Sequence, residues 1–443
     1  MFRNLFLLPK IFVILTIVGI GYILAFFYPI LLNGVHGASI LFLAMVAVDI
    51  FLLFRATEGI EATRILPDKL SNGDENTISF HLKNNYPFTS HLEIIDELPI
   101  QFQIRDFQLF KKIQPKKSLS FSYPLYPKER GIYTFGKLNI YAQSPLGLVS
   151  KRYQFSNQQN LSCYPSFIHL KKYEMISLKS NQLMGNLKKQ RKIGHSSEFE
   201  QIREYVTGDN IKNINWKATG KQNKLMVNQY QEEKSQRIYL FIDKGRSMKM
   251  PFDGLSLLDY SINAAMALSH IILKKQDRAG MVSFSKKVEN MVVADHKNGQ
   301  LKRIAEGLFN IKTNFSESDF NRLYIETQHK ITQRSFILLF TNFETLDALK
   351  RQLPYLRGIA KKHLLLIVFF KNSLLQELKN PKENTHTALE VYDEIIAEKF
   401  DFEKKLIQQE LLKYGIYSLY TLPHELNLEL IHQYLEIKSR GSL

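Results

Sequence analysis

Hydrophobic and polar positions change period three times along the chain. Ile11 to Leu32 reads as one uncharged apolar run, IFVILTIVGIGYILAFFYPILL. At a rise of 1.5 Å per residue this covers about 33 Å, enough to cross the hydrocarbon core of a bilayer. A second apolar run, from about Ala38 to Phe54, contains one acid, Asp49, and is short for a span. The two are joined by Asn33-Gly-Val-His-Gly37, which reads as a polar link. A cleavable signal peptide is the competing reading of the first run, but its length and the second run directly behind it favour a hairpin. Arg3 and Lys10 precede the first run, Arg55 and Arg64 follow the second, and the link has no Lys or Arg. That asymmetry places both termini and the soluble domains on the cytoplasmic side of a two-pass protein of the inner membrane. An acid inside a span is a functional candidate by default; a plain helix–helix hydrogen bond is the equal alternative for Asp49.

From Thr63 to about Tyr164 the period becomes two. Thr77–Leu82, His91–Ile95 and Ser118–Tyr123 alternate apolar and polar residues, with turn-forming stretches such as Ser71-Asn-Gly-Asp74 and Asn84-Asn-Tyr-Pro87 between them. Short strands at this spacing predict an antiparallel β-sandwich. From Arg237 onward, unbroken apolar runs alternate with helical stretches. Arg237–Asp243, Ala279–Phe284, Ser335–Thr341 and His363–Phe370 read as strands buried on both faces, with further strands at Val288–Ala294 and Tyr417–Leu422. Helices are expected near 257–275, 301–309, 319–332, from beyond Thr341 to about Lys362, 388–414 and 425–439. This predicts a mostly parallel sheet covered by helices. The expected fold class is therefore multidomain: a transmembrane helical hairpin (1–56), an antiparallel β-sandwich (57–165), a linker (166–236) and a C-terminal α/β domain (237–443). Sites in such sheets lie beyond the carboxyl ends of the strands, which directs attention to Asp243 and to Thr341-Asn342.

Composition narrows the chemistry. Among 443 residues there is one cysteine, Cys163, so there is no intramolecular disulfide framework and no cysteine-cluster zinc site; Cys163 reads as a buried structural thiol. The formal charge is +17. The basic clusters Lys111-Lys112, Lys116-Lys117, Lys171-Lys172 and Lys188–Lys192 lack the aromatic interleaving that stacks bases. They suit a protein held against anionic lipid, where each nearby basic residue contributes about 1 kcal/mol; specific nucleic-acid binding is not expected. Hydrolase signatures (G-x-S-x-G, H-E-x-x-H, a P-loop) are absent, and the 12 histidines lack ligand spacing. The expectation is a non-enzymatic adaptor; a membrane-associated hydrolase and a non-specific nucleic-acid binder are the alternatives.

Asp243-Lys-Gly-Arg-Ser247 closes the first α/β strand, and its D-x-G-x-S form resembles the D-x-S-x-S metal-ion-dependent adhesion motif of von Willebrand A domains. Ahead of it stand Gly194-His-Ser-Ser-Glu-Phe-Glu-Gln-Ile-Arg-Glu-Tyr-Val-Thr-Gly-Asp-Asn210 and Ile214-Asn-Trp-Lys-Ala218. Together with Ser144-Pro-Leu-Gly-Leu-Val149 and Tyr434-Leu-Glu-Ile-Lys438, these segments resemble the domain-of-unknown-function 58 family over almost the whole chain. The resemblance implies a von Willebrand A-like, Rossmann-type C-terminal domain. It also implies a partner, a MoxR-type AAA+ ATPase acting in maturation or assembly of other proteins.

This chain departs from the metal-binding pattern. Position 245 is glycine, the second-loop hydroxyl falls to Ser318 beside Asp319, and the third-loop acid is Asn342. Losing a unit charge about 5 Å from a dication forfeits on the order of 6 kcal/mol at an effective dielectric near 20. Lys244, Arg246 and Lys249 crowd the same loop, so no cofactor is expected and magnesium is disfavoured. The candidate partner-binding residues are Arg203, Asp209, Trp216, Lys217, Asp243 and Ser247. The structural alternative has Glu198, Arg203, Glu204, Asp209 and Lys217 clamping the linker onto the α/β domain.

Overall fold

The computed structural model describes residues 4–155, 158–175, 198–231, 235–313, 315–371 and 388–440. The chain divides into two compact units, 1–164 and 165–443. The basic run Lys188–Lys192 and the opening of the signature segment, Gly194–Ser197, lie outside the described residues.

The first unit begins with a short strand, β1 (Leu5–Leu7), and two apolar helices, α1 (Pro9–Phe27) and α2 (Leu32–Phe54). Both are long and apolar enough to cross a membrane, and little of either is buried. The link differs from the sequence expectation. Pro29 ends α1, because it fixes its own φ and lacks an N–H, and a single tight turn, Pro29–Leu31, reverses the chain. The stretch Asn33–Gly37 is therefore helical, and the second helix is 23 residues long. Tyr22 and Ser39 hydrogen-bond across the pair at 3.0 Å. Ile30 at the turn is 92% exposed.

Behind the helices follow β2 (Ile60–Ile65), β3 (Leu70–Ser71), β4 (Asn76–Asn84), β5 (Ser90–Asp96), β6 (Gln108–Ile113), β7 (Ser118–Leu125), β8 (Gly131–Phe135), β9 (Leu138–Gln143), β10 (Val149–Phe155) and β11 (Gln159–Tyr164). They form a five-stranded sheet ordered β1-β10-β9-β5-β6 and two three-stranded sheets, β2-β4-β7 and β3-β11-β8. Alternation decides which side chains enter: Ile78, Phe80 and Leu82 of β4 share one core with Leu92 and Ile94 of β5 and Tyr133 and Phe135 of β8. Cys163 is buried in that core. One ion pair lies within it, Arg64 to Asp96 at 2.5 Å, with Tyr123 donating to the same carboxylate at 2.7 Å.

The ends of the helix pair are built into this unit. β1 pairs antiparallel with β10, and Leu53 near the end of α2 is buried in the sheets' core. Asp49 is fully buried and makes no helix–helix hydrogen bond among the described residues. Its carboxylate accepts from the Ser144 hydroxyl and from the backbone N–H groups of Leu146 (3.3 Å) and Leu148 (3.2 Å). The Ser144 oxygen in turn accepts from Gly147 and Val149 N–H. Asp49 thus organises the Ser144–Val149 turn. The Leu53 carbonyl in the last turn of α2 accepts from Tyr86 and from Lys151 (3.4 Å), which also donates to Ala56 O just past the helix at 2.7 Å, where a cation suits the helix dipole.

In the second unit, β12 (Glu198–Glu204) and β13 (Met226–Gln231) form a two-stranded antiparallel ribbon, with α3 (Trp216–Gln222) between them. The main sheet is built from β14 (Arg237–Asp243), β17 (Arg278–Phe284), β18 (Val288–Asp295), β19 (Phe336–Phe340), β20 (Leu364–Phe370) and β21 (Tyr417–Thr421). A minor hairpin, β15 (Pro251–Phe252) with β16 (Leu255–Ser256), precedes α4 (Leu257–Lys274). The remaining helices are α5 (Gln300–Phe309), α6 (Phe320–Lys330), α7 (Leu346–Ala360), α8 (Ala388–Lys413) and α9 (Leu426–Ser439). The sheet order is β18-β17-β14-β19-β20-β21, parallel except for β18. Near-continuous burial along β14, β17, β19 and β20 reflects helical cover on both faces. Because β14 is flanked by β17 on one side and β19 on the other, the connections reverse direction at its carboxyl end.

The Tyr434–Lys438 segment of α9 closes this unit on one acid. Tyr434 and Lys438 donate to Asp277 Oδ2 at 2.6 and 2.5 Å, and Gln236 N–H donates to Oδ1 at 3.0 Å. Burial, with the facing Asp277 carboxylate, pushes the Tyr434 phenol up from its ordinary value.

Candidate functional site

The reversal at β14 is the place where a crevice opens in an open α/β sheet, and Asp243 stands there, 1% exposed. Its Oδ1 accepts from Gly245 N–H at 2.8 Å and from the Ser318 hydroxyl; its Oδ2 accepts from the Thr341 hydroxyl at 2.7 Å. Burial pushes the carboxyl pKa up, opposed by the donors Ser318, Thr341 and Gly245. Three loops therefore converge on one carboxylate, each spending a donor on it.

Gly245 explains the closure. A Cβ at this position would stand 2.3 Å from Ser318 Oγ and 3.1 Å from Asp243 Oδ1. Without a side chain at 245, the Ser318 hydroxyl occupies that space and bonds the aspartate itself. Ser247 lines the same cleft but makes no hydrogen bond to Asp243 among the described residues. Asp319 is spent elsewhere, capping α6 by accepting from Arg322 N–H at 2.9 Å.

Asn342 does not face Asp243 as an acid would. Its side-chain oxygen accepts from Lys404 Nζ at 3.3 Å, and the same ammonium donates to Phe343 O. Lys404, on α8, is 8% exposed. Burial lowers its pKa to about 8, against the raising influence of Glu344 and Glu403. A protein cation thus holds the oxygens of the third loop. The sequence directed attention to Thr341 with Asn342 but gave its hydroxyl no role, and it did not single out Lys404. Thr341 had a signal, standing beside Asn342 at the end of a buried strand; Lys404 had none, since nothing local marks one helical lysine among many.

The basic residues of the motif loop do not crowd the carboxylate as expected. Lys244 is drawn into an ion pair with Glu289 at 2.6 Å, and Lys249 lies over the Phe315 ring at 3.7 Å. Arg246 does line the cleft, together with Arg351 and the acids Glu317 and Glu344. Among the described residues no group of three or more His, Cys, Asp or Glu side chains is arranged to hold a metal.

The signature segment forms its own frame. Arg203 makes a bidentate pair with Asp209 (NH1 to Oδ2 2.8 Å, NH2 to Oδ1 2.6 Å), and Asp209 also accepts from Val206 N–H at 2.9 Å. The Arg203 guanidinium holds the Asp209 carboxyl below its usual range. Glu204 pairs with Lys224 at 2.7 Å. These ion pairs tie β12 to the turns between the two ribbon strands and so brace the segment itself; the Glu198 side chain lies outside the described residues. Asn215 caps α3 by accepting from Ala218 N–H, which starts the helix at Trp216. Trp216 is 71% exposed, and Ile211 (70%) and Val206 (61%) on the same short stretch are nearly as open. Lys217 beside it is exposed too.

A multidomain chain that joins an apolar helix pair to mostly antiparallel sheets and an α/β unit is the class these elements define. Residues 201–404 match the family model described as "Protein of unknown function DUF58", a span running from β12 into α8. Over 245 residues the chain is 24% identical to the "Uncharacterized protein YeaD" of Bacillus subtilis (strain 168); the match covers 53% of this chain and 56% of that protein. The chain thus matches little more than half of that relative's length. Among solved structures, the ASH/PapD-like domain 7 of human CEP192 is 10% identical, with 25% of this chain and 87% of that one covered at a TM-score of 0.19. A FixG-related protein from Vibrio parahaemolyticus is 9% identical, with 24% and 98% covered at a TM-score of 0.18.

Proposed function

We propose that this protein is a membrane-anchored adaptor: a two-pass hairpin holds a cytoplasmic β-sandwich and a von Willebrand A-like α/β domain, which binds protein partners and catalyses no reaction. The observation that carries this reading is the exposed Trp216 face. A large apolar side chain left open on a braced ribbon is a partner-binding anchor. Arg203 and Asp209 position that face, and Lys217 contributes charge at its rim. The resemblance in the signature segment makes a MoxR-type AAA+ ATPase the favoured partner, with protein maturation or assembly as the process served.

Asp243 supports the same reading from the other side. Magnesium demands a near-octahedral shell of free oxygen ligands. Here the aspartate already accepts from Gly245, Ser318 and Thr341, position 245 has no room for a hydroxyl, and Lys404 holds Asn342. The cleft beside Ser247 suits the side chains of a partner surface without a bridging metal.

The experiment is affinity purification of the full-length protein from solubilised membranes. An AAA+ ATPase is expected to co-purify with the wild type and to be lost from Trp216→Ala, whose melting temperature stays at the wild-type value. No ATPase in the wild-type eluate, or equal recovery with Trp216→Ala, overturns the assignment.

A further inference from the structure

Within the first unit, the register of the sheets decides what stands beside the helix pair. Asp49 of α2 is level with the Ser144–Leu148 turn, to which it is hydrogen-bonded. In the same sheet Leu92 faces Ala142, so Ser90 lies two positions nearer the end at which Ser144 turns, and Ser90 pairs with Ile113. The β6–β7 turn therefore emerges at the end of the sheet from which the apolar helices rise. A second path of contacts gives the same placement. Tyr86 bonds Leu53 O at the end of α2, and neighbouring Asn84 donates its side-chain amide to Ile113 O (3.1 Å) and Gln114 O (3.2 Å) and its backbone N–H to Lys117 O (3.0 Å).

This turn and the strand before it carry Lys111, Lys112, Lys116 and Lys117, all exposed. None of the four ammonium groups has a carboxylate partner among the described residues; that of Lys111 lies 5.2 Å from the Phe121 ring centroid. Lys10 at the start of α1 lies against Gly147, and Arg55 follows α2. The acids at this rim are Glu58 and Glu61, and Glu61 is engaged by Lys83 and Asn85. Exposed Phe51 on α2 and Leu146 in the turn mark the apolar limit at the same level. An unpaired basic cluster beside an apolar helix pair has one partner that geometry supplies without further assembly.

The geometry points to a headgroup collar: Lys111, Lys112, Lys116 and Lys117 face the anionic phosphates of the bilayer that holds α1 and α2. This rests on the reading of the helix pair as membrane-spanning. Lipid is favoured over an acidic protein or nucleic acid because the collar lies where the helices enter the bilayer. It gives the strong basic balance of the chain a location and fixes the sheets upright against the surface.

The test places the full-length protein in nanodiscs of phosphatidylcholine alone or with phosphatidylglycerol, and measures lysine acetylation by mass spectrometry. Each of the four lysines is expected to react about fivefold more slowly in the anionic discs, the factor equivalent to ~1 kcal/mol per basic residue. Lys137, at the opposite end of β9, serves as the unaffected control. The protection is expected to vanish in about 0.5 M salt, where the Debye length shrinks to a few ångströms. Equal acetylation in both discs, with the protein still embedded, overturns the collar and leaves the span standing. A protein that alkaline carbonate strips from vesicles overturns both.

Discussion

Asp49, four residues before the buried Leu53 of α2, accepts a hydrogen bond from Ser144, 95 residues further along the chain. With Leu146 and Leu148 it makes three donors on one carboxylate, inside the unit that the apolar helices enter. Asp49→Ala is expected to leave these donors buried without an acceptor, at a cost of about 2–4 kcal/mol. Limited proteolysis of the full-length protein in detergent checks it: the Ser144–Val149 turn becomes cleavable in the variant. Asp49→Asn, which keeps an acceptor oxygen, loses less.

The Arg64–Asp96 pair gives a second prediction. Both side chains are fully buried, so removing either partner strands the other charge. Burial raises the Asp96 pKa, and Arg64 and Tyr123 oppose that shift. Arg64→Met or Asp96→Asn alone is expected to destabilise by about 3–5 kcal/mol, and the double variant by much less than the sum. Thermal unfolding of the four proteins closes the cycle.

Gly245 and Ser318 form a third pair. Gly245→Ala puts a methyl group where Ser318 Oγ lies, and overpacking of this kind costs about 1–3 kcal/mol. Adding Ser318→Ala removes the obstruction, so the double variant is expected to be more stable than Gly245→Ala alone. If the two effects simply add, Ser318 does not fill the place of the missing side chain. Magnesium is expected to leave the wild-type melting temperature unchanged.

His363 sets a pH dependence. It is buried, neither ring nitrogen has a hydrogen-bond partner among the described residues, and burial, with Lys362 nearby, lowers its pKa to about 4. The unfolded chain binds this proton near pH 6.5. The contribution to stability is therefore complete above about pH 6.5 and is lost as the pH falls from there through about 4. After allowance for solvent screening it amounts to on the order of 1–2 kcal/mol. As the pH falls over this range, the melting temperature of the wild type is expected to drop relative to that of His363→Leu, which has no group to titrate.

Of the candidate site, the strand ends were legible and the bonds were not. The unbroken run Ile-Tyr-Leu-Phe-Ile before Asp243 locates the aspartate at a strand terminus, because only a strand covered on both faces tolerates such a run. Thr341-Asn342 is located in the same way. That Asn342 faces Lys404 instead of Asp243, and that Lys244 turns to Glu289, depends on which helices and loops return to the sheet.

By itself, the sequence determined the elements: period two in β4, β5 and β7, helical stretches at α4 through α9, and two apolar stretches, the second with a single acid, that water would not solvate. Periodicity registers which side of an element is buried, and burial is decided locally by side-chain type. Only the tertiary structure decided the pairings. Asp49 reads as a membrane acid until Ser144 folds back to it, and nothing in the sequence marks Asp277 as the acid to which Tyr434 and Lys438 come from the other end of the unit. A hydrogen bond is short-ranged and directional, so its partner is set by where the chain returns in space and leaves no periodic trace along it.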